Sequence, residues 1–201
     1  QNAVIDLDTI AGDSIRTFPP TPNLFTTNAV DYGFDPEADC PKWIEFLDRL
    51  WSTPSDQATT LQEILGYCLS DDTSQQKLFM FIGPIRSGKS TIARVLKSLI
   101  GSKNVCNPNL TNLQGGFGLE PLLGKRLAIV GDARLSARSD AATILERLLS
   151  ISGEDSQTIE RKFKGAVTTQ LRTRFLILSN EVPKLDDASA TLPSRAVLIR
   201  F

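Results

Sequence analysis

Residues 78–91 read Leu-Phe-Met-Phe-Ile-Gly-Pro-Ile-Arg-Ser-Gly-Lys-Ser-Thr: an unbroken apolar run stops at Gly83 and passes into a full match to G-x-x-x-x-G-K-[ST]. The segment Thr91–Ile100 that follows has helical spacing, so strand, loop and helix succeed one another directly. That setting gives the letters their chemistry. Glycines let successive backbone N–H groups turn inward around phosphate oxygens, and the helix N-terminus adds its positive dipole end. Gly83, Pro84, Ile85, Arg86, Ser87, Gly88, Lys89, Ser90 and Thr91 are therefore expected to cradle a nucleotide. Lys89 is expected to reach the β- and γ-phosphates, and the Ser90 hydroxyl to ligate Mg²⁺.

Outward from this loop the same texture repeats. The apolar runs RLAIV (126–130), RFLIL (174–178) and AVLIRF (196–201) alternate with helix-like stretches at 91–100 and 142–152. Strands buried on both faces lose the period-2 polar alternation, so this pattern predicts an α/β fold with a mostly parallel sheet covered by helices on both sides. Upstream, Trp43, Phe46, Leu47, Leu50 and Trp51, then Leu61, Ile64, Leu65, Cys68 and Leu69, have helical spacing around a polar break at 52–58. They predict two short amphipathic helices whose aromatics form core, with base stacking as the alternative. Residues 1–70 are thus expected to be an irregular segment and a small helical subdomain, and residues 71–201 the main domain.

Composition narrows the chemistry. The 201 residues carry 22 Lys+Arg against 23 Asp+Glu and no His, which excludes imidazole bases, Ser-His-Asp or Cys-His catalysis and the common zinc clusters. Charge is uneven along the chain: residues 1–60 hold 3 basic and 10 acidic residues, residues 121–201 hold 13 and 9. The basic surplus lies downstream of the loop. Cys40, Cys68 and Cys106 have neither metal nor redox spacing, and read as small buried hydrophobes in a reducing compartment. No run approaches the roughly 18 apolar residues of a membrane-spanning helix, so a cytoplasmic chain with no membrane partner is expected. It opens on Gln1 and stops inside an apolar run, which suggests a piece cut from a longer protein.

Hydrolysis of a nucleotide also needs a carboxylate on a neighbouring strand tip. Asp132 closes the run RLAIVGD, 43 residues after Lys89 (132 − 89), with a helix and a second short strand between. It is the expected second Mg²⁺ ligand, although an Asp at a strand end can also be a plain cap. The residue after it is Ala133, where a second acid often stands, and the Gly153-Glu154-Asp155 turn is a possible source of the missing carboxylate. Farther on, Thr158–Thr169 reads as a hairpin with the basic tip Lys162-Phe163-Lys164 and Gly165 at the turn.

GPIRSGKST, KRLAIVGDARL and the stretch from LLSISGEDSQ to RFLILSNEVP, preceded by DPEADCPKWIEFLDRLW and LQEILGYCLSDDTSQQK, resemble the superfamily 3 helicases. Within that family the chain is similar to the ATPase half of phage and plasmid primase-helicases over nearly its whole length. The resemblance implies a P-loop NTPase of modified AAA+ type, bacterial-host cytoplasm, and a ring, usually a hexamer, that hydrolyses ATP between subunits. It also implies a primase domain upstream and single-stranded or forked DNA as partner. By the same resemblance, Asn180 is the sensor facing the γ-phosphate or the lytic water, and Arg195 is the arginine finger offered to the neighbouring subunit. Arg147 is a weaker candidate for a phosphate-sensing residue. Lys162, Phe163 and Lys164 fall where the family's hairpin grips the DNA backbone in the ring channel. The alternatives are an ATP-switched DNA-binding or origin-loading module without unwinding, and a P-loop phosphotransferase acting on a small molecule.

Overall fold

The computed structural model describes residues 3–6, 15–24, 29–52, 54–131, 133, 139–183 and 191–201. In chain order the elements are β1 (Val4–Ile5), β2 (Thr17–Phe18), α1 (Pro41–Trp51), α2 (Asp56–Leu69), β3 (Leu78–Ile82), α3 (Lys89–Ile100) and β4 (Val105–Cys106). There follow β5 (Leu127–Val130), α4 (Ala141–Ser152), β6 (Ser156–Arg161), β7 (Lys164–Gln170), β8 (Arg174–Ser179), α5 (Leu192–Arg195) and β9 (Ala196–Arg200).

Five strands form one sheet in the order β4-β5-β8-β3-β9, and every pairing in it is parallel. All residues of β3, β5 and β8 are buried, which is why their sequences read as continuous apolar runs. The pleat sends alternate side chains into two cores. Phe79, Phe81, Leu127, Ile129, Leu176 and Leu178 pack with Leu61 and Leu65 of α2 and with Ile92 and Leu96 of α3. Leu78, Met80, Ala128, Val130, Phe175 and Ile177 pack on the other face with Ile144, Leu148 and Ile151 of α4, and with Leu110 and Leu122 of two short 3₁₀ turns.

α1 and α2 share the first core instead of enclosing a core of their own. Leu47 is buried there, with Trp43, Phe46, Leu50 and Trp51 packed around it. α1 starts with Pro41 in its first turn, where a missing N–H costs nothing, and ends at Ser52 in the left-handed region. α2 begins at Asp56, inside the polar stretch read as a break, because the Ser55 side chain accepts from Gln57 N–H and caps it. Both helices also cover β9. Trp51 Nε1 donates to Arg200 O at 3.0 Å, and Arg200 N–H donates to Gln57 Oε1 at 2.8 Å.

Two arginines, one buried and one half-buried, close the far end of α2. Arg174, 4% exposed at the start of β8, lies over the Tyr67 ring at 4.5 Å and donates to Ser70 O and Asp72 O. Arg126 donates to Leu69 O at 2.7 Å and pairs with Asp71. Of the cysteines expected inside, Cys68 is buried and its thiol pushed up to about 12 by desolvation, and Cys106 is half-buried. Cys40 is exposed, because it stands just before Pro41, outside the apolar face of α1.

Candidate functional site

The phosphate loop leaves the C-terminal end of β3, near the middle of the sheet. Gly83 N–H donates to Ser179 O at 3.2 Å, which extends the β3–β8 ladder one step into the loop. β9 ends against the same glycine: a Cβ at Gly83 would lie 2.7 Å from both Cβ and O of Phe201. Only a residue without a side chain fits there. At the other end Gly88, with φ +101, turns the chain into α3 in the left-handed region that glycine alone enters freely. The helix then starts at Lys89, with its first N–H groups and positive dipole end facing the loop.

Lys89 is 8% exposed, yet it has no carboxylate partner among the described residues. Its ammonium donates to Gly83 O at 2.5 Å, Pro84 O at 2.7 Å and Ser87 Oγ at 3.1 Å, which uses all three of its protons on the loop itself. Burial holds its pKa below the ordinary lysine value. The result is a cation held by a ring of backbone carbonyls and one hydroxyl, with no carboxylate against it among the described residues, which suits an anionic ligand.

Beside it opens a cavity of about 490 Å³ lined by Phe46, Leu50 and the loop residues Arg86 to Thr91. Of the expected loop residues, Gly83 and Pro84 serve Lys89 through their carbonyls, while Ile85 is 77% exposed and does not line the cavity. Phe46 and Leu50 are the part that sequence reasoning missed. Their spacing announced a buried helical face, but nothing in it told which neighbour that face meets.

Other expected site residues divide between the two edges of the sheet. Asn180 directly follows β8, whose Ser179 pairs with Ile82, so it stands at the same C-terminal edge as Gly83 and is exposed. Asp132 lies outside the described residues. Arg195 is at the opposite edge: it precedes Ala196, the partner of Leu78 at the start of β3. There its guanidinium donates to Leu149 O and Ser152 Oγ and caps the C-terminal end of α4. The fit is close, since a Cβ at Gly153 would meet Arg195 Nη1 at 2.8 Å.

The same edge holds Glu154, whose carboxylate accepts from the Thr73 hydroxyl. With the whole sheet between it and Lys89, the Gly153–Asp155 turn does not supply a second carboxylate to the loop of its own chain. Arg147 donates to Leu113 O and Gly115 O and anchors the 3₁₀ segment Leu110–Gln114.

β6 and β7 form a two-stranded antiparallel hairpin that stands apart from the main sheet. Ile159 roots it in the second core. Its turn is Lys162-Phe163, with Arg161 paired to Lys164, so Gly165 lies within β7 and not at the turn as expected. Phe163 itself takes the positive φ, +61, and is 95% exposed, with Lys162 Nζ 5.2 Å above its ring. Lys162 N–H donates to Glu120 Oε2 at 3.2 Å, which ties the tip to the 3₁₀ turn Glu120–Leu122. A fully solvated aromatic beside two lysines is a surface that can meet a polyanion and one of its flat bases.

Two solved structures have the same fold. The C-terminal region of NrS-1 is 20% identical with a TM-score of 0.60, covering 91% of this chain and 42% of that one. JCV helicase, in a structure with a bound thiazolopyridinyl-phenoxyphenyl acetamide, is 20% identical with a TM-score of 0.54, covering 74% of this chain and 40% of that one. The architecture is thus the α/β fold expected above, a central parallel sheet with helices on both faces. An uncharacterized mitochondrial protein of Marchantia polymorpha, ymf21, is 29% identical over 79 residues, 39% of this chain and 44% of that protein. The chain therefore spans less than half the length of each of these relatives. Residues 1–52 match the model described as D5 N terminal like. Residues 81–195, more than half of the chain, match the model of a family of unknown function, DUF5906, and the chain belongs to that family.

Proposed function

We propose that the domain is the ATP-hydrolysing module of a DNA helicase of a phage or plasmid replication protein, working as a ring on single-stranded or forked DNA. The observation that carries this reading is the pairing of a buried Lys89, without a carboxylate partner among the described residues, in a phosphate loop with an exposed Lys162-Phe163-Lys164 tip on a hairpin rooted at the other end of the sheet. One end holds triphosphate and the other meets a nucleic acid strand.

In this reading Lys89 leaves the carbonyls of Gly83 and Pro84 for the β- and γ-phosphate oxygens. Ser90, beside it at the start of α3, and Asp132 hold Mg²⁺; both offer the hard oxygen donors that ion prefers. Held by these two residues, the ion would supply positive charge to offset that of the phosphates. Asn180 orients the lytic water without adding charge. Water attacks the γ-phosphorus, the bond to the β-phosphate oxygen breaks, and ADP and phosphate leave, with the water's proton passing to a phosphate oxygen and on to solvent. Arg195, released from α4, serves the site of the next subunit in the ring, where its planar fork matches the equatorial phosphoryl oxygens. A primase domain upstream would provide the companion activity.

A second reading, an ATP-switched DNA-binding module that does not unwind, is favoured by Ala133, a 2% exposed side chain with no acid to offer where a second carboxylate is usual. Hydrolysis with and without single-stranded DNA separates the two. Under the helicase reading single strands accelerate hydrolysis, and Lys164→Ala keeps the DNA-free rate while losing that acceleration. Full stimulation of the Lys164→Ala protein would contradict the hairpin's role.

A further inference from the structure

The cavity beside Lys89 has two chemically different ends. Its floor is the phosphate loop, with the polar side chains of Arg86, Ser87, Lys89, Ser90 and Thr91. Its wall is α1, which contributes only Phe46 and Leu50. These two side chains are one turn apart on α1, and both stay half-buried instead of sinking into the core. They press directly on the loop: a Cβ at Gly88 would sit 3.3 Å from Phe46 Cζ and 3.3 Å from Leu50 Cδ2. Behind Phe46 the Trp43 ring stacks at 5.7 Å between centroids with 29° between planes, which holds the phenyl ring in place.

An amphipathic cavity of this kind fits a ligand with a polyanionic tail and a flat, apolar-faced head. We propose that Phe46 and Leu50 are the seat of the nucleobase, and that the seat reads the face of the base and not its edge. This rests on the nucleotide reading of the phosphate loop and adds to it which groups choose the base. α1 brings no donor or acceptor to the cavity, so nothing on the wall distinguishes the exocyclic groups of adenine from those of guanine. The ring area does differ between purines and pyrimidines, and stacking follows area. The site therefore accepts ATP and GTP alike and holds CTP and UTP more weakly.

Calorimetric titration of the Mg²⁺ complexes of ATP, GTP, CTP and inorganic triphosphate tests this, since triphosphate engages the loop and has no base. In Phe46→Ala the affinity for ATP and GTP should fall together by about 10- to 100-fold, the size of one lost aromatic contact with a base, while triphosphate binding stays unchanged. Unchanged triphosphate binding also shows that the loop is still folded. Phe46→Tyr, which keeps the ring, should retain wild-type affinity. An equal loss for ATP and triphosphate would make Phe46 a prop for the loop and overturn the seat. So would no loss at all, or a wild-type preference for ATP over GTP above tenfold. Failure of the wild type to bind triphosphate would overturn the nucleotide reading itself, and the seat with it.

Discussion

Gly83 and Lys89 hold two kinds of information at the scale of single residues. The sequence pattern located both, because phosphate chemistry fixes their spacing and the apolar run before them fixes their place at a strand end. It left unsaid why Gly83 tolerates nothing larger. The reason is the end of β9, more than a hundred residues away in sequence, which brings Phe201 against it and donates Phe201 N–H to Ile82 O at 2.9 Å. Gly83→Ala should therefore destabilise the fold by about 1–3 kcal/mol, the usual cost of overpacking against atoms that cannot yield. A urea melt measures it, and a wild-type midpoint would show that the strand end gives way freely. Arg195 shows the opposite limit. The family resemblance implies a role in a neighbour, but its own-chain bonds to α4 follow from how β9 and α4 meet, which no local pattern encodes.

Elements were legible wherever one face decides them. β3, β5 and β8 declared themselves as apolar runs, and α3 and α4 as helices against them. The 3₁₀ turns at Leu110–Gln114 and Glu120–Leu122 did not, since a single turn has too few residues to show a period. The basic tip marks the hairpin in the sequence, but the turn that Gly165 suggests is taken by Phe163, because a two-residue connection can tolerate a non-glycine at positive φ.

α4 offers a test with a pH sign. Its first turn is capped by Asp140, whose carboxylate accepts from Thr143 N–H at 3.0 Å and Thr143 Oγ1 at 2.7 Å, and these bonds lower its pKa. A carboxylate depressed in the folded state stabilises above its unfolded value, about 3.9, and that contribution disappears as the pH falls through the lower folded value. Asp140→Ala should thus melt below wild type at neutral pH, and the gap should close in acid below that window. A gap of constant size at every pH would show that the charge of Asp140 plays no part in the cap.

At the scale of the molecule, the parallel sheet and its two covering layers could be anticipated, but the strand order could not. β8 inserts between β5 and β3 although it follows both in sequence, and α1 lies against the phosphate loop although its spacing announced only core. Long-range placement of that kind depends on which faces fit, not on the period of any one segment. The sheet puts the phosphate loop at its C-terminal edge, and Arg195 with the root of the basic hairpin at its N-terminal edge. Under the proposed reading, a nucleotide at the loop and Arg195 at the opposite edge serve one reaction only if copies of the chain stand side by side. The most direct measurement is steady-state ATP hydrolysis against protein concentration, with and without single-stranded DNA, using Lys89→Ala as the blank. The account predicts a specific activity that climbs steeply with concentration and rises further with DNA, in keeping with an arginine finger's contribution of about 10³–10⁵ in rate. A specific activity that is flat with concentration and indifferent to DNA, or no greater than that of Lys89→Ala, would contradict it.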